Sequence, residues 1–228
     1  MWFFSPTDLM LLLPAILLSV YAQIKVRSTF AKWSNVPAGR GLSAARLAEL
    51  LLRDNGISDV DVELVPGELT DHYDPRSRTL RLSESTYHSN SVAALGVAAH
   101  ECGHAIQHKV AYAPLALRNA IVPVANLGSQ LAFPLIFIGL IFSSLRLFDL
   151  GILFFSGAVL FHVVTLPVEF NASSRALAQL RSGGYLAPQE LAGAREVLQA
   201  AALTYVAAAA VAVLQLVRLL MLRQSREN

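Results

Sequence analysis

The sequence predicts a mainly helical, polytopic membrane protein with four spanning helices and one α+β segment between the first two. Three observations predict it. Of 228 residues, 54% are hydrophobic and only 15% are charged, against about 25% charged in an ordinary soluble domain. Four apolar stretches with hardly a charge among them each reach the roughly 20 residues that a bilayer crossing needs. The one sizeable polar block is residues 23–118. The same composition excludes intrinsic disorder. A single cysteine, Cys102, excludes a disulfide-stapled secreted domain. A net charge of +2 lacks the basic density of a nucleic-acid binder.

Residues 1–22 are expected to form the first spanning helix, apolar from Trp2 to Ala22 apart from Asp8. No basic residue precedes the run, and Gln23, Lys25 and Arg27 follow it where a signal peptide would carry a small-residue cleavage site. The helix is therefore read as retained. Residues 119–168 read as a helical hairpin, with apolar stretches Asn119–Leu145 and Leu150–Val168 joined near Ser144–Asp149. Pro123 and Pro134 predict a kink in its first arm. Residues 169–196 form a second polar connection, and residues 197–228 a fourth helix with a basic tail. That helix, apolar from Val197 to Val217, is alanine-rich, which suits close helix packing in lipid.

Basic residues set the expected orientation. Lys25, Arg27, Lys32, Lys109 and Arg118 flank the first polar block, and Arg175, Arg181 and Arg195 lie in the second. The hairpin tip offers only Arg146. The positive-inside rule then places both polar connections in the cytoplasm and both termini outside, although Arg218, Arg223 and Arg226 in the tail pull the other way. A cytoplasmic Cys102 would stay reduced.

Within residues 23–118, Gly39-Arg40-Gly41 reads as a loop. Ser43 then caps an amphipathic helix carrying Leu47, Leu50 and Leu51, and Asn55-Gly56 ends it. Val60, Val62 and Leu64 alternate with Asp61 and Glu63 as a strand does. Tyr73–Ser77 reads as a turn, and Thr79–Ser83 as a second strand, so a small β-hairpin is expected. A further helix, capped by Ser89 or Asn90, runs from Val92 through an alanine-rich stretch into His100-Glu101-Cys102-Gly103-His104.

His100 and His104 stand four residues apart and share one helix face. Two imidazoles at that spacing can bind one zinc ion. The intervening Glu101 can then act as general base on a water whose pKa the metal lowers, which is the H-E-x-x-H logic of zinc peptidases. A third ligand is needed. His108 lies two turns from His100, roughly 12 Å along the axis, and reads as a surface or supporting residue. Cys102 points away from the shared face and reads as a small buried residue. His162 falls deep in an apolar stretch, where a histidine is expensive. Glu169 is the better candidate, because it ends the third apolar stretch on the side expected for His100; the alternative is a carboxylate that only marks the membrane boundary. Asn171, Ser173 and Arg175 follow it and could support the site. His72, Tyr73, Tyr87 and Arg175 are candidates for stabilising an oxyanion, each tyrosine having plain packing as its alternative. Thr79, Leu80, Arg81, Leu82 and Ser83 could offer an edge strand to an extended substrate.

His100-Glu101-Cys102-Gly103-His104 followed by Glu169-Phe170-Asn171-Ala172 resembles the gluzincin membrane metallopeptidases, in which a distant glutamate completes H-E-x-x-H. Tyr21-Ala22-Gln23, residues 70–76 (Thr70-Asp71-His72-Tyr73-Asp74-Pro75-Arg76), Leu80-Arg81-Leu82-Ser83 and Leu166-Pro167-Val168 extend the resemblance over nearly the whole chain. It is to the bacterial neutral zinc metallopeptidases of the YugP type. The likeness to HtpX and CAAX-prenyl membrane proteases is more distant. Their second motif places an aspartate four residues after the glutamate, where this sequence has Ser173. The resemblance implies a zincin-like fold for the polar block and a Zn2+ cofactor held by His100, His104 and Glu169. It also implies Glu101 as base and peptidase activity in a bacterial inner (plasma) membrane.

The expected partners are a membrane-associated protein or peptide substrate and the lipid bilayer, with no nucleic acid; oligomeric state is not legible. Two other classes stay open: a non-hydrolytic zinc-containing membrane scaffold, and an ion-handling helical bundle.

Overall fold

The computed structural model describes residues 6–227. Trp2–Ser5, where the first apolar stretch begins, lie outside the described residues, as does Asn228. In chain order the elements are α1 (Pro6–Ser34), α2 (Ala44–Asp54), β1 (Asp61–Val65), β2 (His72–Asp74), β3 (Thr79–Ser83), α3 (Glu84–Tyr87), α4 (Val92–Lys109), α5 (Ala113–Ile141), α6 (Leu145–Ser182) and α7 (Pro188–Glu227). Among the described residues, four helices are long and apolar enough to cross a membrane: Met10–Ser34, Ala113–Ile141, Leu145–Ser182 and Pro188–Arg226. α1, α6 and α7 run past the ends of the apolar stretches that predict them, whereas α5 starts earlier and stops at Ile141, short of the expected Leu145, so the hairpin turns before Leu145 and not near Ser144–Asp149. Pro123 and Pro134 lie inside α5, and Pro167 inside α6.

The chain divides into two compact units. The first comprises residues 1–23, 116–167 and 204–228. Its described core joins Ala132 and Ile136 of α5, Phe148, Ile152, Phe155 and Val159 of α6, and Ala212 and Leu219 of α7. Small residues let the hairpin arms meet backbone to side chain: a Cβ on Gly151 would lie 2.8 Å from the Ala132 carbonyl oxygen. Large apolar side chains such as Leu153 and Phe137 face outward, as a bilayer would require. Arg223 donates from Nε to Asp149 Oδ1 at 2.8 Å, tying the end of α7 to the start of α6.

The second unit comprises residues 24–115 and 168–203. Ser43 caps α2 by accepting from the Arg46 N–H, and Gly56 takes a left-handed φ of +65° just beyond its end. The buried face of α2 (Leu47, Ala48, Leu51) joins Leu80 and Leu82 of β3 and Leu95, Ala98 and Cys102 of α4 in one core. Ser91 caps α4 by accepting from the Ala94 N–H, so the cap falls one or two residues later than the sequence reading.

The sheet corrects two expectations. The strands read from the sequence, β1 and β3, pair in parallel, Val62 opposite Leu80, and are not the two arms of a hairpin. The hairpin is β2–β3, because His72, Tyr73 and Asp74 continue as strand, Tyr73 opposite Leu80, and the turn begins only at Asp74. The strand order is therefore β1-β3-β2, with Thr79–Ser83 in the centre. It is therefore not a free edge for a substrate: β1 pairs with all of Thr79–Ser83 on one side, and β2 with Thr79–Arg81 on the other. Composition explains the order: Leu80 and Leu82 are fully buried, whereas β1 alternates Asp61 and Glu63 onto solvent, as an edge strand does. Arg81, the one charge on β3, pairs with Glu63 of β1 at 3.3 Å and Asp74 of β2 at 3.5 Å.

Candidate metal centre

The histidine-bearing helix buries nearly all of its length, leaving His100 and His104 partly open on one face. Their rings stand edge to face with centroids 4.7 Å apart, within the reach of an i, i+4 pair on a helix. Against them α6 brings Glu169, which is 4% exposed. Its Oε2 lies 3.2 Å from His100 Nε2 and 3.6 Å from His104 Nε2. Ligands about 2.0–2.1 Å from a tetrahedral zinc stand about 3.3 Å apart, so these separations fit one ion. Two imidazoles and a carboxylate are also a donor set that zinc accepts. Among the described residues these three are the one group of His, Cys, Asp or Glu side chains whose donor atoms gather closely enough to hold a metal.

The close approach of α4 and α6 depends on Gly103. A Cβ there would meet the Ala172 carbonyl oxygen at 2.5 Å, and backbone cannot swing aside as a side chain can. Ala172 is itself fully buried. The small residue inside the H-E-x-x-H motif is thus what lets Glu169 reach the histidines.

Each histidine is held from behind. His100 Nδ1 meets Ser173 Oγ at 3.1 Å, and His104 Nδ1 meets Gln107 Oε1 at 3.0 Å. Gln107 donates to the Val168 carbonyl at 2.8 Å and to Asn171 Oδ1 at 3.0 Å, and Arg175 Nε donates to the same Asn171 oxygen at 2.8 Å. Ser173 thus hydrogen-bonds His100 directly, and Asn171 and Arg175 are linked to His104 through Gln107. Gln107 is absent from the sequence reading. Its one signal is its place three residues after His104, on the same helix face as the two histidines.

Burial works against the imidazolium of His104, but the hydrogen bond to Glu169 and the charges of Glu101 and Glu169 outweigh it and raise its pKa. Glu101 is 7% exposed. Its carboxylate makes no hydrogen bond to any other described residue. Cys102 is fully buried on the opposite side, its thiol directed at the Ala48 carbonyl and its pKa pushed up by burial, which makes it a packing residue rather than a ligand.

The other candidates from the sequence lie apart from this network. Tyr73 hydrogen-bonds His108 Nδ1 at 2.8 Å, and burial raises its phenol pKa. His108 is half-buried in that pairing and supports β2 against α4. His72 is exposed, with Nδ1 on the Thr70 carbonyl, and Tyr87 lies edge-on to His88. Of the four oxyanion candidates, only Arg175 is joined to the metal centre by hydrogen bonds.

Residues 8–224 match a family described as "putative neutral zinc metallopeptidase". The chain is 50% identical over 213 residues to the "Putative membrane protease YugP" of Bacillus subtilis (strain 168), covering 93% of this chain and 94% of that protein. No solved structure matches.

Proposed function

The chain belongs to the family described as putative neutral zinc metallopeptidases, and from that premise we propose that it is a membrane-embedded zinc endopeptidase of the H-E-x-x-H plus glutamate type. The observation that carries the reading is the convergence of Glu169 with His100 and His104 across 69 residues of chain.

Zinc held by these three residues supplies Lewis-acid polarisation of a peptide carbonyl and of the attacking water. The protein does the rest. Ser173 and Gln107 occupy the two Nδ1 atoms, so both Nε2 atoms face Glu169. Glu101 takes the proton of the attacking water onto its carboxylate and returns it to the departing amine. Its burial without a hydrogen-bond partner suits a base and has no use in a purely structural zinc site. Purified full-length protein in detergent should carry one zinc per chain and cleave an unfolded test protein. Chelation should abolish cleavage and added zinc restore it. Cleavage that survives complete removal of metal would overturn the proposal.

The substrate class follows from the chain. Glu169 comes directly after the apolar run ending at Val168, so the chemistry is met where α6 leaves its apolar segment. Membrane-associated or unfolded segments at the cytoplasmic surface are the proposed substrates, with orientation set by the basic residues of the two polar connections. Cys102 is fully buried, so the native chain should be silent to a membrane-impermeant maleimide. Ser143→Cys, exposed between α5 and α6, should be labelled in intact cells. Glu68→Cys, exposed between β1 and β2, should be labelled only after the membrane is broken. The reverse pattern would invert the topology.

A further inference from the structure

Gln107 lies at the junction of the two elements that build the metal centre, and its side chain is fully buried. Its chemistry can be deduced from its partners alone. The Val168 carbonyl only accepts, so the Gln107 atom 2.8 Å from it must be the amide nitrogen. The same nitrogen meets Asn171, and there Arg175 Nε, which only donates, requires that the Asn171 atom be its oxygen. Two independent anchors thus fix one orientation of the Gln107 amide, with both N–H groups spent on α6. The atom left facing His104 Nδ1, at 3.0 Å, is an oxygen that can only accept. His104 must therefore carry a proton on Nδ1, which leaves Nε2, turned toward Glu169, as the ring atom available to a metal.

His100 is held differently. Its Nδ1 meets the Ser173 hydroxyl, which can donate or accept, so that contact leaves the tautomer open. The amide does a second thing as well. Val168 is the residue before Glu169, and its carbonyl takes the Gln107 N–H on a lone pair that the helix ladder does not need. One side chain therefore orients a histidine of α4 and registers the α6 backbone beside the carboxylate.

We propose that Gln107 is a positioning residue of the metal centre, locking the His104 tautomer and the register of Glu169, with Arg175 holding Asn171 as its outer brace. The assignment rests on the zinc-site reading above. Groups that orient a metal-bound histidine are worth about 10- to 100-fold in metal affinity. Gln107→Met keeps the length of the side chain and removes both donor and acceptor. In full-length protein in detergent, it should weaken zinc binding by about that factor in chelator competition.

Nitrogen-15 histidine NMR of the metal-free protein, with the His104 signal identified by its loss in His104→Ala, should show Nδ1–H in the wild type. Gln107→Met should show mixed tautomers. Should that variant fail to fold, Arg175→Met tests the same chain from its outer end. It should weaken zinc binding by a smaller factor and leave the thermal midpoint within a few degrees. Unchanged zinc affinity with His104 still in the Nδ1–H form, in whichever variant folds, would overturn the proposal. So would an Nε2–H tautomer in the wild type. A wild-type chain that takes up no zinc would instead defeat the zinc-site reading, while the tautomer would still report on Gln107.

Discussion

Glu101→Gln should retain a full complement of zinc and lose cleavage of an unfolded test protein by about 10²- to 10⁴-fold, the usual worth of a general base. The amide matches the carboxylate in shape, and Glu101 is not among the residues that converge on the proposed ion. The fold and the metal should therefore be undisturbed. What the amide lacks is the ability to take a proton from water. The replaced carboxylate is buried and hydrogen-bonds no described residue, so no network collapses with its charge. Zinc content by elemental analysis and cleavage by gel progress curves check the two halves separately. Cleavage at the wild-type rate would remove Glu101 from the mechanism. Cleavage lost together with zinc would make it a structural residue.

Glu169→Ala should do the opposite and strip the metal. Two histidines remain, and the third proposed ligand is gone from a position 3.2 Å and 3.6 Å from their Nε2 atoms. The fall in zinc affinity should exceed the about 10- to 100-fold expected when a group that only orients a ligand is lost. Thermal unfolding offers an independent readout. A ligand that binds the folded state raises its stability by mass action, so added zinc should raise the melting point of the wild type and leave Glu169→Ala unmoved. Undiminished zinc in this variant would sink the three-ligand assignment. The alternative noted for Glu169, a boundary carboxylate, would then stand.

Local patterns carried a large part of this architecture. The apolar stretches located four long helices because lipid imposes a length and a composition on every segment it surrounds. Ser43 and Asn55-Gly56 located the ends of α2 because capping is decided within one turn. His100 and His104 fell on one face because the helical period puts them there wherever the helix lies. Glu169 was reachable from the residues themselves only by a topological argument, and otherwise through the family resemblance.

What lay beyond the sequence was pairing across distance. Alternation marks a strand but not its neighbours, so β1 and β3 were found and their relation was not. Only the tertiary structure shows β1 lying parallel on one side of β3, Val62 opposite Leu80, and β2 antiparallel on the other, Tyr73 opposite Leu80. Asp74-Pro75 suggested a turn, and nothing in the local chemistry said that the two residues before it would continue a strand. Gln107 escaped for a similar reason. Its three partners are the Val168 carbonyl, Asn171 and His104, and two of them lie 61 and 64 residues away. A backbone carbonyl leaves no trace in a residue pattern.

The sequence by itself determined the class of protein, the helix that bears the histidines, and the residue types that zinc chemistry needs, because hydropathy, capping and the 3.6-residue period act over a few residues. Tertiary structure decided which strand is central, that Gly103 lets α6 approach to contact, and that a buried amide and a serine hydroxyl hold the two histidines. Those outcomes depend on which surfaces meet, and a meeting between residues well separated along the chain is set by the packing of the whole unit.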